Sequence, residues 1–366
     1  MIRQVTIQTE GPMSLTSGRS AGFETETLIH VPGSTFRGAV ANAYLENGGS
    51  ATDPAFVTCF VDEKVRFTDL RPTHAFPWPV SVLQCADYRL GSVASHKLMD
   101  LLPRALRGES LIVKCPGCGA KLENIAGFAE RQSDAYEPYQ KVEVAEERRM
   151  HSEIDPKTLS VKPTRFHSAH AVCAGQFFTG TLVAADPSAE SALETIWRKV
   201  KDGLYLGRGR SRGQGRVTFV QRDTAGSQPM VDRLTACNQS PGAVAFTCDF
   251  HSVSLFYDDW LRSRTRIEGT DLHDELGCYK PFATFAKTNK RGGWHAAAQL
   301  PRPEIPVLDA GSCFLFRRDL KAGESMEAEI KRIAPILEKL ERDGCGERLA
   351  EGFGEVTFCH DIHQMK

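Results

Sequence analysis

The residues best placed to do chemistry are four arginines threaded through four glycines, in Leu204-Tyr-Leu-Gly-Arg-Gly-Arg-Ser-Arg-Gly-Gln-Gly-Arg-Val-Thr-Phe219. Gly207, Gly209, Gly213 and Gly215 let the backbone take positive φ and approach a ligand with no Cβ in the way. Arg208, Arg210, Arg212 and Arg216 add permanently charged, forked donors suited to phosphate oxygens. A nucleotide P-loop would close on Lys-Ser or Lys-Thr, and none is present here. A dinucleotide fingerprint would run from strand through glycines into helix. Here the order is reversed: a helical run, Glu190 to Lys201, comes first and the strand-like Arg216 to Val220 follows. The loop therefore reads as a cradle for a nucleic-acid backbone.

A second constellation is Lys114-Cys-Pro-Gly-Cys-Gly119. Cys-Pro-x-Cys-Gly is a tight turn that aims two sulfurs at one point, the knuckle of a structural zinc site. Cys115 and Cys118 need two more ligands; Cys85 is the third candidate, and His96 or Cys59 the fourth. No water-activating His/Glu motif stands beside the knuckle, so a structural metal is expected there.

Three further stretches carry weaker signals. In His30-Val-Pro-Gly-Ser-Thr-Phe-Arg37, Ser34 is an expected N-cap for a helix to about Leu45. The free N–H groups there, with Thr35 and Arg37 on the first turn, suit a phosphate. Arg148, Arg149, Lys157, Lys162 and Arg165 surround Phe166, cations plus a ring, as single-stranded RNA requires. Lys290 and Arg291 lead into Gly292-Gly-Trp294, where a base could stack on the indole. His151, His167 and His170 with Glu153 and Asp155 form the one conceivable acid/base group for RNA cleavage, His151 and Asp155 being its test residues. The carboxylates in it lie among cations, which favours salt-bridged neighbours over free metal ligands.

The elements that must position these residues recur. Gly344-Cys-Gly-Glu-Arg-Leu-Ala-Glu-Gly-Phe-Gly-Glu-Val-Thr-Phe358 again follows a helical run, Ser325 to Arg342, and again ends in Val-Thr-Phe. Helix, glycine loop and strand thus repeat in one order, which points to two homologous halves. The second loop carries Arg348 against Glu347, Glu351 and Glu355, so it reads as architectural. Residues 2–9 alternate as a first strand, residues 11–27 read as an exposed loop, and a helix is expected from Ser95 to Leu106. The polar segment 227–242 reads as a linker.

Composition bounds the partners. The chain has 366 residues, 41% hydrophobic and 25% charged, with a net charge of −1, so a nucleic-acid site must be a local basic face. A near-neutral chain of this kind suits a subunit that completes its site in a larger assembly. Eleven cysteines without framework spacing argue for a reducing compartment, here the cytoplasm. No apolar run approaches the roughly 18 residues of a membrane helix, so no membrane partner is expected.

Pro32-Gly-Ser-Thr-Phe-Arg-Gly38, followed far downstream by the Gly/Arg loop, resembles the RAMP superfamily of CRISPR-associated proteins, and Gly346 to Gly354 resembles that superfamily's closing glycine motif. Gly292-Gly-Trp294, Leu300-Pro-Arg-Pro303 and Ala310 to Phe316 are similar to the second domain of the type III subunit that grips the 5′ handle of the guide RNA, and the cysteine-bearing insertion is nearest the type III-D form. The resemblance implies an α+β protein of tandem ferredoxin-like, RRM-related domains: 1–226, with a zinc-knuckle insertion at about 50–130, and 243–366 beyond the linker. It implies a non-catalytic subunit holding crRNA, with other RAMP backbone subunits and the large signature subunit as partners and target RNA met indirectly. It also implies that the stretch with His151, Ile154 and Asp155 forms a long loop over the RNA face that feeds the next strand, the strand-like Gln176 to Val183.

Overall fold

The computed structural model describes residues 1–16, 24–87, 96–132, 138–154, 157–158, 160–221, 228–238, 242–295 and 298–364. The chain is α+β, and its contacts divide it into two units: Met1–His74 with Glu143–Asp223, and Ala75–Val142 with Thr224–Lys366. The insertion expected within the first half therefore packs, from Ala75 onward, with the C-terminal residues.

In the first unit, strand Ile2–Thr9 leads to helix Gly33–Glu46 and strand Val65–Phe67. Strand Phe177–Ala184, helix Pro187–Val200 and strand Arg216–Val220 complete the unit's main elements. The fourth of these strands lies beside the first, the first beside the third, and the third beside the second, all antiparallel. Phe177–Ala184 shows the period-two alternation of a sheet with one face in the core, Phe178, Leu182 and Ala184 being buried. Helix Pro187–Val200 starts where Asp186 accepts from Ala189 N at 2.8 Å and Pro187 fits the first turn. It buries Ala189, Leu193, Ile196 and Val200, one helical stripe, in the same core as Val5, Ile7, Phe36, Val40 and Val217.

The second unit repeats this order. Strand Ala243–Phe250, short helix Gly269–Leu272, strands Lys280–Phe285 and Cys313–Asp319, helix Met326–Asp343 and strand Val356–Phe358 follow in sequence. The sheet again runs second, third, first, fourth. Helix Met326–Asp343 buries Ile330, Ile333, Ala334, Leu337 and Leu340 against Phe246, Phe314, Phe316 and Phe358. Both glycine loops thus join the helix after a unit's third strand to the fourth strand, which pairs with the first.

Several local expectations change. Part of the expected 227–242 linker is the helix Met230–Cys237, which buries Met230 and Leu234 and pairs Arg233 with Glu341 through two hydrogen bonds of 2.8 and 2.7 Å. The expected helix from Ser95, a residue outside those described, is a strand, Met99–Asp100, and a six-residue helix, Leu101–Leu106. The expected loop around His151 and Ile154 is instead part of an antiparallel ribbon, Glu146–Ile154 with Val161–Val172, while the strand-like Gln176 to Val183 is the strand Phe177–Ala184. Within the expected 11–27 loop, residues 17–23 lie outside the described residues. Among the described residues no helix is long and apolar enough to cross a membrane.

Candidate nucleic-acid interface and metal cluster

The first glycine loop is a rigid, internally bonded structure. A one-turn 3-10 helix, Arg210–Arg212, is bracketed by left-handed Gly209 (φ 82°) and Gly213 (φ 74°). Arg208 N donates to Ser14 O at 3.1 Å, Leu206 N to Gly215 O at 2.8 Å, and Gly215 N to Pro12 O at 2.9 Å. Much of the glycine requirement is therefore the loop's own. A Cβ on Gly215 would sit 2.0 Å from Leu206 O, one on Gly207 2.2 Å from Ser14 O, and one on Gly209 2.4 Å from the buried Gln214 side chain. Gly213 differs: it is exposed, and a Cβ there meets nothing within 4 Å.

The four arginines separate into two kinds. Arg210 forks onto Glu46, the last residue of helix Gly33–Glu46, at 2.5 and 2.7 Å, and lies over the Tyr205 ring at 4.7 Å. Arg216 donates to Glu10 at 2.6 Å. The Arg210 hydrogen bond holds the Glu46 carboxyl below its ordinary range. Arg208 and Arg212 are exposed and, among the described residues, have no carboxylate partner. Arg208 precedes the turn and Arg212 is its last residue, next to the open Gly213.

The helix start at Pro32-Gly33 is already engaged. Pro32, not Ser34, is the N-cap, and Gly33 N donates to the Asp69 carboxylate at 2.7 Å. Ser34 is exposed and Thr35 half-buried on the first turn. Arg37 turns into the protein, donating to Phe60 O at 2.5 Å with its guanidinium 5.8 Å from the Phe60 ring centre. Ser34 and Glu46 are twelve residues apart on one helix, about 18 Å along its axis, so Ser34 and the Arg210 contact mark opposite ends of it.

The remaining predicted residues lie on ribbons. Phe166 stands opposite Ser152 and His151 opposite His167, with Arg165 on the same strand, Val161–Val172. Asp155 is outside the described residues. Arg291 and Trp294 lie on strand Thr288–His295, opposite Ile305 and Pro301. Arg291 reaches Asp309 at 3.2 Å. The second glycine loop is locked by charge. Glu351 takes Arg302 at 2.8 Å on both oxygens and Arg348 at 2.6 Å. That arrangement accords with an architectural loop. Glu10, Glu46 and Asp69 are the residues sequence reasoning missed, because nothing in their spacing shows which cation or helix end they meet.

The cysteine knuckle assembles. Cys85, His96, Cys115 and Cys118 place one ligand atom each within 4.8 Å of one another. Cys85 Sγ lies 3.6 Å from Cys118 Sγ, and Cys115 Sγ 3.3 Å from His96 Nδ1. Burial opposes ionisation of Cys115, but the Gly117 and Cys118 amides, with His96 and Cys85, bring its thiol down to about 6. A thiolate beside a ring nitrogen and two more sulfurs is a donor set that could hold a metal ion. Cys59, the alternative fourth ligand, lies instead in the apolar core of the first unit, where burial raises its thiol to about 12.

No family model and no curated protein matches the chain. Among solved structures, the chain is similar to one in the type III-B Cmr-beta complex bound to cognate target RNA and AMPPnP, with 15% identity, a TM-score of 0.45 and 86% of each chain covered. It is also similar to a chain of a type IV-B CRISPR complex, with 13% identity, a TM-score of 0.28, and 63% of this chain and 94% of that chain covered. A Cas6 product complex matches with 11% identity and a TM-score of 0.32, covering 51% of this chain and 78% of that one.

Proposed function

We propose that this chain is a non-catalytic RNA-binding subunit of a type III CRISPR effector, holding the 5′ handle of crRNA beside other RAMP backbone subunits and the large signature subunit. Both units are tandem ferredoxin-like domains in this reading, which the β-α-β-β-α-β order with strands 4-1-3-2 supports. The observation that carries the RNA reading is the first glycine loop: Arg208 and Arg212, exposed and without a carboxylate partner among the described residues, at a pre-formed turn ending at open Gly213. A loop fixed before binding loses little entropy when a phosphate arrives. Arg210 and Arg216 stiffen the loop through Glu46 and Glu10.

Zinc fits the Cys85, His96, Cys115 and Cys118 cluster, because tetrahedral Zn–S and Zn–N bonds put donor atoms about 3.5–3.8 Å apart. In this reading the metal is structural and ties the strand Val82–Cys85 to the knuckle turn.

The test is binding of single-stranded RNA by Arg208→Ala/Arg212→Ala. Each lost phosphate contact lowers the slope of log affinity against log salt by about 0.7. The double variant is expected to lose about 1.4 from that slope, with weaker binding at low salt. Affinity and slope equal to wild type would overturn the reading.

A further inference from the structure

Three buried ionisable side chains, none of them part of a glycine loop, meet in the second unit. The His363 ring is wedged between two carboxylates: Nδ1 lies 2.6 Å from Asp100 Oδ2, and Nε2 2.8 Å from Asp249 Oδ1. The three side chains are only 3–4% exposed. The other carboxylate oxygens are also used. Asp100 Oδ1 accepts from Ser81 Oγ at 2.8 Å and from Leu102 N at 3.1 Å. Asp249 Oδ2 accepts from Thr247 Oγ1 at 3.2 Å.

Proton counting decides what this arrangement needs. A neutral imidazole has one N–H and one lone pair. It can satisfy one carboxylate, and it turns a lone pair on the other. Both contacts are hydrogen bonds only when both ring nitrogens carry protons. Among the described residues, the other ionisable groups bearing on the triad are Cys237, from helix Met230–Cys237, Cys248, beside Asp249 on strand Ala243–Phe250, and Cys313, from strand Cys313–Asp319. Arg233 acts on Cys237 and on Cys359, and its own fork is taken by Glu341. Burial works against a charged His363, but Asp249 and Asp100 outweigh it and hold the ring's pKa well above the ordinary value.

The triad joins three pieces of chain. Asp100 caps helix Leu101–Leu106, whose Leu102, Ala105 and Leu106 pack on Ala245, Cys313, Leu315 and Phe285. Those residues belong to the sheet face opposite the one that carries Phe246, Phe314 and Phe316. Asp249 lies on that same opposite face, two residues along from Thr247 and four from Ala245. His363 comes from the turn Asp361–Gln364, where Asp361 also holds Arg131 at 2.5 Å and Ile362 packs with Phe76 and Trp78.

We propose that the proton shared by His363, Asp100 and Asp249 fastens the insertion helix over the sheet face of the second unit, as a latch that loosens when pH rises. The sign follows from the raised histidine. The latch is fully closed below about pH 6.5, the ordinary value of a released ring. Above that pH its contribution falls, and it vanishes once pH passes the folded value. Between the two, the equilibrium for local opening rises about tenfold per pH unit.

Asp100→Asn separates this from simple packing. An asparagine amide can donate to Nδ1 while its oxygen keeps the Ser81 and Leu102 bonds, so a neutral ring satisfies every partner. Hydrogen exchange at residues 99–106, corrected for intrinsic rates, is measured from ~pH 6.5 to ~pH 8.5 in the full chain with its metal. Wild type is expected to gain opening about tenfold per pH unit, more than the strand Ala243–Phe250 does, and Asp100→Asn is expected to show no such slope. A flat wild-type profile, or the same slope in Asp100→Asn, overturns the latch. Isotope-labelled histidine NMR of the wild type, with the His363 signal assigned by its loss in His363→Gln, gives a second reading should the variant fail to fold. A doubly protonated ring at ~pH 7.5 is expected, and a neutral ring there overturns the proposal.

Discussion

Replacing Gly215 and Gly213 separately by alanine separates what the loop needs for its own fold from what it leaves open. Both glycines are left-handed, at φ 77° and 74°. Alanine there costs about 1–2 kcal/mol of conformational energy, of which roughly 0.4–1 kcal/mol is recovered from the stiffer unfolded chain. For Gly213 that is the whole expected effect, about 1 kcal/mol, because the new methyl meets nothing within 4 Å. At Gly215 the methyl would stand 2.0 Å from Leu206 O, a backbone atom that cannot swing aside. Relieving the clash pulls apart the Leu206 N to Gly215 O bond of 2.8 Å in a buried place. A lost buried hydrogen bond adds about 1–3 kcal/mol. The Gly215→Ala penalty should therefore exceed that of Gly213→Ala by at least about 1 kcal/mol. Native-state hydrogen exchange along Arg216–Val220 reads the opening free energy of this unit directly. Equal penalties, or a larger one at Gly213, would refute the account of why the loop carries these glycines.

The remaining predictions follow from the same geometry. Arg37→Ala should leave RNA affinity unchanged while lowering thermal stability by about 1 kcal/mol through the lost Phe60 contact; an affinity loss matching that of Arg208→Ala would contradict this placement. The purified chain should carry one zinc, and Cys115→Ser or a strong chelator should remove it and speed proteolysis of residues 99–124. Metal analysis finding no zinc in chain purified without chelator would contradict the cluster's assignment. Cys59→Ala should keep the metal, since Cys59 packs in the other unit's core.

Much of the fold was legible where local signals agreed. The helical run expected over Glu190 to Lys201 is the helix Pro187–Val200, whose start, set by the Asp186 cap and Pro187, comes three residues earlier. The repeated Val-Thr-Phe after a glycine loop marks the fourth strand of each unit. The ribbon strand Glu146–Ile154 was not legible, because charged and polar residues occupy both faces and its apolar residues, Met150 and Ile154, are too few to mark an alternation. Helix Met230–Cys237 hid for the opposite reason: eight residues with only two buried apolar side chains resemble a linker until Glu341 supplies a partner for the buried Arg233. The placement of the insertion depended on contacts far apart in sequence, such as Asp100 with His363 and Arg131 with Asp361. In the candidate site the residue types were readable, but the ion pairs were not. The sequence shows four equivalent arginines, and only the fold separates Arg210 and Arg216, held by Glu46 and Glu10, from Arg208 and Arg212.

The central claim is that an RNA backbone lies against residues 207–216. Photo-crosslinking of the chain to its co-purified RNA, with peptides mapped by mass spectrometry, tests it most directly. Crosslinks should concentrate at 207–216 and carry nucleotides from the 5′ end of that RNA. Crosslinked RNA with no adduct in that loop would contradict the claim.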